Sequence, residues 1–97
     1  MRRAAKIDAN QNALVDALRA GGASAFITSA VGNGFTDLVV GYCGGTFLIE
    51  VKNGNLPPSR RRLTPAQEKF HREWTGGPIL LFETLEDVAA FLRDWNC

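Results

Sequence analysis

Leu14, Val15 and Leu18 recur at the spacing of one buried helix stripe, between polar positions that begin at Asp8, Asn10 and Gln11. Gly21 and Gly22 end that helix. The pattern then changes period. "ASAFIT" is a short strand, "GNG" breaks the chain, and 36–43 and 46–52 are two β-branched and aromatic runs split by Gly44 and Gly45. Those glycines predict a tight antiparallel hairpin. "NGNLPPSRRR" reads as a loop. Thr64, Pro65 and Gln67 then supply an N-cap, a proline at the first helical position and a capping-box partner. Phe70 and Trp74 give this second helix an apolar face, and Gly76, Gly77 and Pro78 stop it. "ILLF" is an apolar strand, and Leu85, Val88, Ala89, Leu92 and Trp95 return to helical spacing. The expected order is α-β-β-β-α-β-α in one domain over 1–97, with no repeat and no dividing linker.

Three charges interrupt the strand pattern: Asp37, Glu50 and Lys52. With Gly44 and Gly45 as the two loop residues, Lys52 falls opposite Asp37 and Glu50 opposite Val39. Alternation then sets all three charges on one face of the hairpin. Asp37 and Glu50 become diagonal neighbours, about 7–8 Å apart at the backbone, a span that one cation between them can bridge. Two carboxylates suit a hard divalent ion such as magnesium, and a lysine beside them suits the attacking water or the charge growing on a phosphate. A bare D…ExK pattern also fits a solvated polar sheet face.

Composition changes the picture in one respect. The 97 residues carry a formal net charge of only +1, but six basic residues between Lys52 and Arg72 stand against one acid, Glu68, a local excess of +5. Such a segment is either an anion-binding surface, with Arg60, Arg61, Arg62 and Lys69 as phosphate contacts, or a loop of solvated arginines. "VGNGFTD" lacks the Gly-Lys-Ser/Thr of a P-loop, so nucleotide hydrolysis has no support. Cys43 and Cys97, with no CxxC spacing or histidine cluster, read as free thiols. No apolar run reaches a membrane span, and "MRRAAKIDAN" has no signal-peptide core, which makes the cytoplasm the default compartment.

The stretch "GFTDLVVGYCGGTFLIEVKNGNLPPSRRRLTPAQEKFHREW" resembles the PD-(D/E)XK nuclease superfamily, and within it the virus-type replication-repair nuclease (VRR-NUC) domains related to Holliday junction resolvases. The resemblance covers most of the chain: the first helix, the "GF-x-D" turn, the "EVK" strand and the basic loop leading into "LTPAQ". It implies a restriction-endonuclease-like αβββαβ core, a mixed sheet flanked by helices, with a further C-terminal helix. It also implies a magnesium-dependent endonuclease, with manganese as substitute, acting on branched, flapped or junction DNA as a homodimer. In that family the positions matching Asp37 and Glu50 bind metal, the carbonyl at Val51 adds a ligand, and Lys52 serves the nucleophile. Thr36 stands in place of the superfamily's proline, and Gln11 stands where many relatives carry a glutamate, which bears on a second metal.

Other readings stay open. Gln67 is either a site residue touching the metal-bound water or a phosphate, or a capping residue alone. Gln11 has the same two readings, with capping favoured. His71 reads as a surface or packing residue, and Trp74 and Trp95 as core residues of their helices. A binding module that kept the fold without the chemistry, or an RNA-directed nuclease, is the alternative to DNA cleavage.

Overall fold

The computed structural model describes residues 9–95 and 97; Asp8, expected to cap the first helix, lies outside them. The elements are α1 (Gln11–Ala20), β1 (Ser24–Ile27), β2 (Leu38–Tyr42), β3 (Gly45–Val51), a 3-10 turn (Pro58–Arg60), α2 (Pro65–Glu73), β4 (Ile79–Phe82) and α3 (Leu85–Asp94). Both β1–β2 and β2–β3 pair antiparallel, and β3–β4 pair parallel, in the spatial order β1-β2-β3-β4. A crossover through α2 makes the parallel pair possible. The result is a small α/β fold with a four-stranded mixed sheet, three helices and a helix at its C-terminal end. Among the described residues no helix is long and apolar enough to cross a membrane.

Strand alternation divides the sheet into two faces of different character. Leu38 and Val40 on β2 and Phe47, Ile49 and Val51 on β3 point to one side, where Leu14, Val15 and Leu18 of α1 and Val88 and Phe91 of α3 close the core. On α3 the inward residues include Phe91, while Leu85 and Ala89 of the expected stripe are exposed. The opposite face carries Val39, Leu48 and Glu50, beneath α2. Helix α2 starts as expected: Thr64 accepts from the Gln67 amide N–H at 3.2 Å and the Gln67 side chain returns to the Thr64 N–H at 2.9 Å, with Pro65 at the first position. An equivalent box, Thr84 with Asp87, opens α3.

The hairpin turn falls one residue earlier than expected. Tyr42 pairs with Gly45, so the loop residues are Cys43 and Gly44 rather than Gly44 and Gly45. Their φ values, 52° and 82°, are those of a type I′ turn. Gly45 opens β3, and there only glycine fits, since a Cβ would stand 2.8 Å from the Phe47 ring. Nor are the cysteines free thiols. Cys43 and Cys97 are joined by a disulfide, with their Cα atoms 4.5 Å apart.

Candidate functional site

The corrected turn shifts the register by two residues, which preserves the face of every side chain but changes who meets whom. Leu38 pairs with Ile49, so one step further Asp37 lies directly across from Glu50 instead of diagonal to it. The Asp37 N–H donates to the Ile49 carbonyl at 3.1 Å, and its Oδ2 accepts from the Val51 N–H at 2.8 Å. Thr36 and Thr28 hold the approach: Thr28 Oγ1 donates to the Thr36 carbonyl at 2.8 Å and the Thr28 N–H to that of Asp37 at 2.7 Å.

Glu50 is fully buried, which rules out the solvated polar face. A carboxylate withdrawn from water is tolerated only where donors replace the lost hydration. Helix α2 supplies two of them, one turn apart. Gln67 Nε2 donates to Glu50 Oε2 at 3.0 Å, and His71 Nε2 meets Oε1 at 3.1 Å. The same Gln67 accepts from Lys52 Nζ through Oε1 at 2.9 Å. One amide therefore caps α2, orients the buried carboxylate and anchors the ammonium, so Gln67 is not a capping residue alone. His71, expected only as a surface or packing residue, is partly exposed and packs edge-on against Phe70, but it also bonds the buried carboxylate. Its imidazole is held below its usual pKa, first by burial and then by the Lys52 ammonium, so near neutral pH its Nε2–H tautomer donates to Glu50.

Gln11 is also misjudged by a capping role. Asn10 is the N-cap, without a side-chain capping bond, and its amide instead donates to the Lys52 carbonyl at 3.2 Å and the Glu83 carbonyl at 2.9 Å. This ties the start of α1 to the ends of β3 and β4. Gln11 is thereby fully buried, its Oε1 accepting from Ser29 Oγ at 3.3 Å while its Nε2 has no hydrogen-bond partner among the described residues. Ser29 reaches on to Asp37 Oδ1 at 3.5 Å. Nothing in the sequence singles out Ser29, a loop serine among small residues. His71 had a legible signal: it lies four residues after Gln67, on the same side of the helix.

The loop carrying Asp37 is fitted against α2 at Gly34. A Cβ there would overlap the Ala66 carbonyl oxygen, and the backbone φ is +79°. Phe35 meets the Phe70 ring edge-on at 5.3 Å just beyond.

The arginine loop divides. Arg60 and Arg62 are exposed, but Arg61 is not a solvated residue. It bonds Glu83 through Nη1 at 3.0 Å, and its Nε is buried with no partner among the described residues. Lys69 is exposed on α2, on a flank turned away from Glu50. Trp74 and Trp95 are 40% and 41% exposed and stand at the ends of their helices, not in the core.

Comparison of the chain with protein-family models, curated proteins and solved structures returns no match. Among the described residues no three histidine, cysteine, aspartate or glutamate side chains gather closely enough to hold a metal ion by themselves. Asp37 and Glu50 form a pair of carboxylates.

Proposed function

We propose that this chain is a magnesium-dependent endonuclease of the PD-(D/E)XK type, with a restriction-endonuclease-like core, that hydrolyses DNA phosphodiesters. The observation carrying the reading is the fully buried Glu50 across from Asp37, joined through Gln67 to the Lys52 ammonium. A core of this size does not bury a carboxylate for stability, because an apolar residue of similar volume would serve at least as well.

The donor set fits magnesium. That ion keeps several waters and is commonly held by one or two carboxylates together with substrate phosphate oxygens. Asp37 and Glu50 would hold it, with the Val51 carbonyl as a further ligand, and it would supply a water of lowered pKa and a positive charge facing the phosphate. The chain's own residues do the rest. Gln67 and His71 fix the Glu50 carboxylate by both oxygens, and the Val51 N–H fixes Asp37, so the anionic oxygens are oriented before any ligand arrives. Lys52, held by Gln67, brings a charge toward the attacking water or the phosphate. Arg60, Arg62 and Lys69 would meet flanking phosphates.

A second reading has its own support. With both Glu50 oxygens hydrogen-bonded to α2, and Gln11 in place of a carboxylate, the network is nearly self-satisfied and could belong to a nucleic-acid-binding module without chemistry. Incubation with branched, flapped, single-stranded and duplex DNA, and with RNA, plus magnesium or manganese decides between them. Metal-dependent cleavage of DNA supports the nuclease. Tight, salt-sensitive DNA binding with no metal binding by calorimetry supports the module, and cleavage of RNA alone changes the substrate. A homodimer with two sites on a branched substrate, and a cytoplasmic location, belong to the same proposal.

A further inference from the structure

Along α2, on the flank that bears Lys69, lies a cleft lined by none of Asp37, Glu50, Lys52, Gln67 or His71. Its volume is about 530 Å3, and Asn33, Ala66, Lys69, Phe70, Glu73 and Trp74 line it. It shares both walls with the candidate site: the loop leading to Asp37 contributes Asn33, and α2 contributes the remainder from the flank next to the one bearing Gln67 and His71.

The wall is aromatic and held in place. Trp74 stacks on Phe70, with ring centroids 5.4 Å apart and planes 29° from parallel, and Phe70 is braced by Phe35. The indole Nε1–H donates to the Gly77 carbonyl at 2.8 Å, which fixes the ring's direction. Gly76 makes room for it, since a Cβ there would come 2.5 Å from Trp74 Cζ2. Yet the residue remains 40% exposed. Around it stand an ammonium, a carboxylate and the Asn33 amide, the last in an exposed loop at φ +58°. An oriented ring open to solvent and ringed by hydrogen-bonding groups of both polarities matches a flat, polar-edged aromatic ligand next to an anionic backbone.

From this arrangement we infer that the Asn33–Lys69–Trp74 cleft is a subsite for an unpaired nucleobase of single-stranded DNA. The base stacks on Trp74, Glu73 and Asn33 meet its hydrogen-bonding edge, and Lys69 meets an adjoining phosphate. A base within a duplex has no free face to offer, so the subsite selects substrates with an unpaired nucleotide beside the cleavage point. This rests on the nuclease reading for its place in a reaction, but not for the binding itself.

The test uses the full chain with Trp95→Phe, which leaves Trp74 as the sole tryptophan. Its fluorescence is followed during titration with a single-stranded hexadeoxynucleotide, and with an abasic oligomer of equal length, in chelator so that no cleavage occurs. The inference expects quenching by the base-bearing oligomer and little by the abasic one. In fluorescence-anisotropy binding assays with a labelled hexamer, it expects affinity to fall roughly 5- to 150-fold in Trp74→Leu. Trp74→Phe restores most of it, and Gly76→Ala, which pushes the indole without removing it, weakens binding with the ring present. Circular dichroism melting identifies any variant that has unfolded. Equal quenching by the abasic oligomer, or Trp74→Leu binding at full affinity, overturns the subsite. Base-dependent binding without cleavage of any substrate overturns the nuclease reading alone.

Discussion

At the scale of single residues, the three charges share a place but not a task. On the proposed nuclease reading, Asp37→Asn and Glu50→Gln would each remove an anionic oxygen from a hard cation with few protein ligands, so each is expected to abolish cleavage and weaken magnesium binding in calorimetry. Lys52→Ala should leave metal binding intact or slightly tighter, while the rate falls about 10²–10³-fold, as expected for one lost transition-state charge stabiliser. A loss of metal affinity as severe as that of Asp37→Asn would assign Lys52 to fold support instead. Gln11 makes the complementary case. Its buried Nε2 lacks a partner among the described residues, and an unsatisfied buried donor costs about 1–3 kcal/mol. Gln11→Leu should therefore melt at the same temperature or higher while losing cleavage activity, the signature of a group retained for function. A melting point lowered with activity unchanged would make Gln11 a structural residue.

At the scale of elements, what the sequence displays is local chemistry. The box of Thr64, Pro65 and Gln67 places α2 correctly because every participant lies within four residues, and the alternation of β2 and β3 survives a misplaced turn because a two-residue slip conserves faces. The turn itself is hidden: Gly44–Gly45 is the more permissive pair for positive φ, yet Cys43 takes φ 52° and Gly45 stands where only a residue without a Cβ fits beside Phe47. The burial of Gln11, the hydrogen bond of His71 with Glu50 and the pairing of Arg61 with Glu83 each join segments more than 17 residues apart, and no periodicity encodes them. The last of these alters what the basic loop can do. Arg60→Ala with Arg62→Ala should flatten the salt dependence of duplex binding, by up to about 0.9 in slope for each phosphate no longer neutralised. Arg61→Ala should instead lower thermal stability, since it leaves Glu83 unpaired and opens the tie between the loop and β4. A salt slope unchanged in the double variant would make the loop a bystander.

Across the whole molecule, the strongest constraint is covalent and joins the β2–β3 turn to the end of the chain. The Cys43–Cys97 bond spans 54 residues and encloses β3, α2, β4 and α3 in one loop. Closing a loop of that length in the unfolded chain corresponds to about 4 kcal/mol in the chain-entropy account, and measured values for disulfides cluster near 2–4. For a domain of 97 residues, where each kcal/mol moves the melting point by roughly 4–8 °C, reduction should lower it by about 10 °C or more. Cys43→Ser and Cys97→Ser should each reproduce the drop, and the double variant should add little, because either change removes the same bond. Serine at 43 keeps a Cβ at positive φ, so the comparison measures the crosslink and not the turn. The carboxylate pair sits at the opposite end of the hairpin from Cys43, and below the lowered melting point metal and DNA binding should be unchanged. The bond also bears on location, since a reducing cytoplasm keeps most thiols open. On the proposed cytoplasmic location, alkylation of acid-quenched cells should find both cysteines reactive, whereas cysteines protected from alkylation would place the protein in an oxidising compartment. Equal melting points with and without reductant would show that the bond is not formed in solution, and would return both cysteines to the free thiols that their spacing suggests.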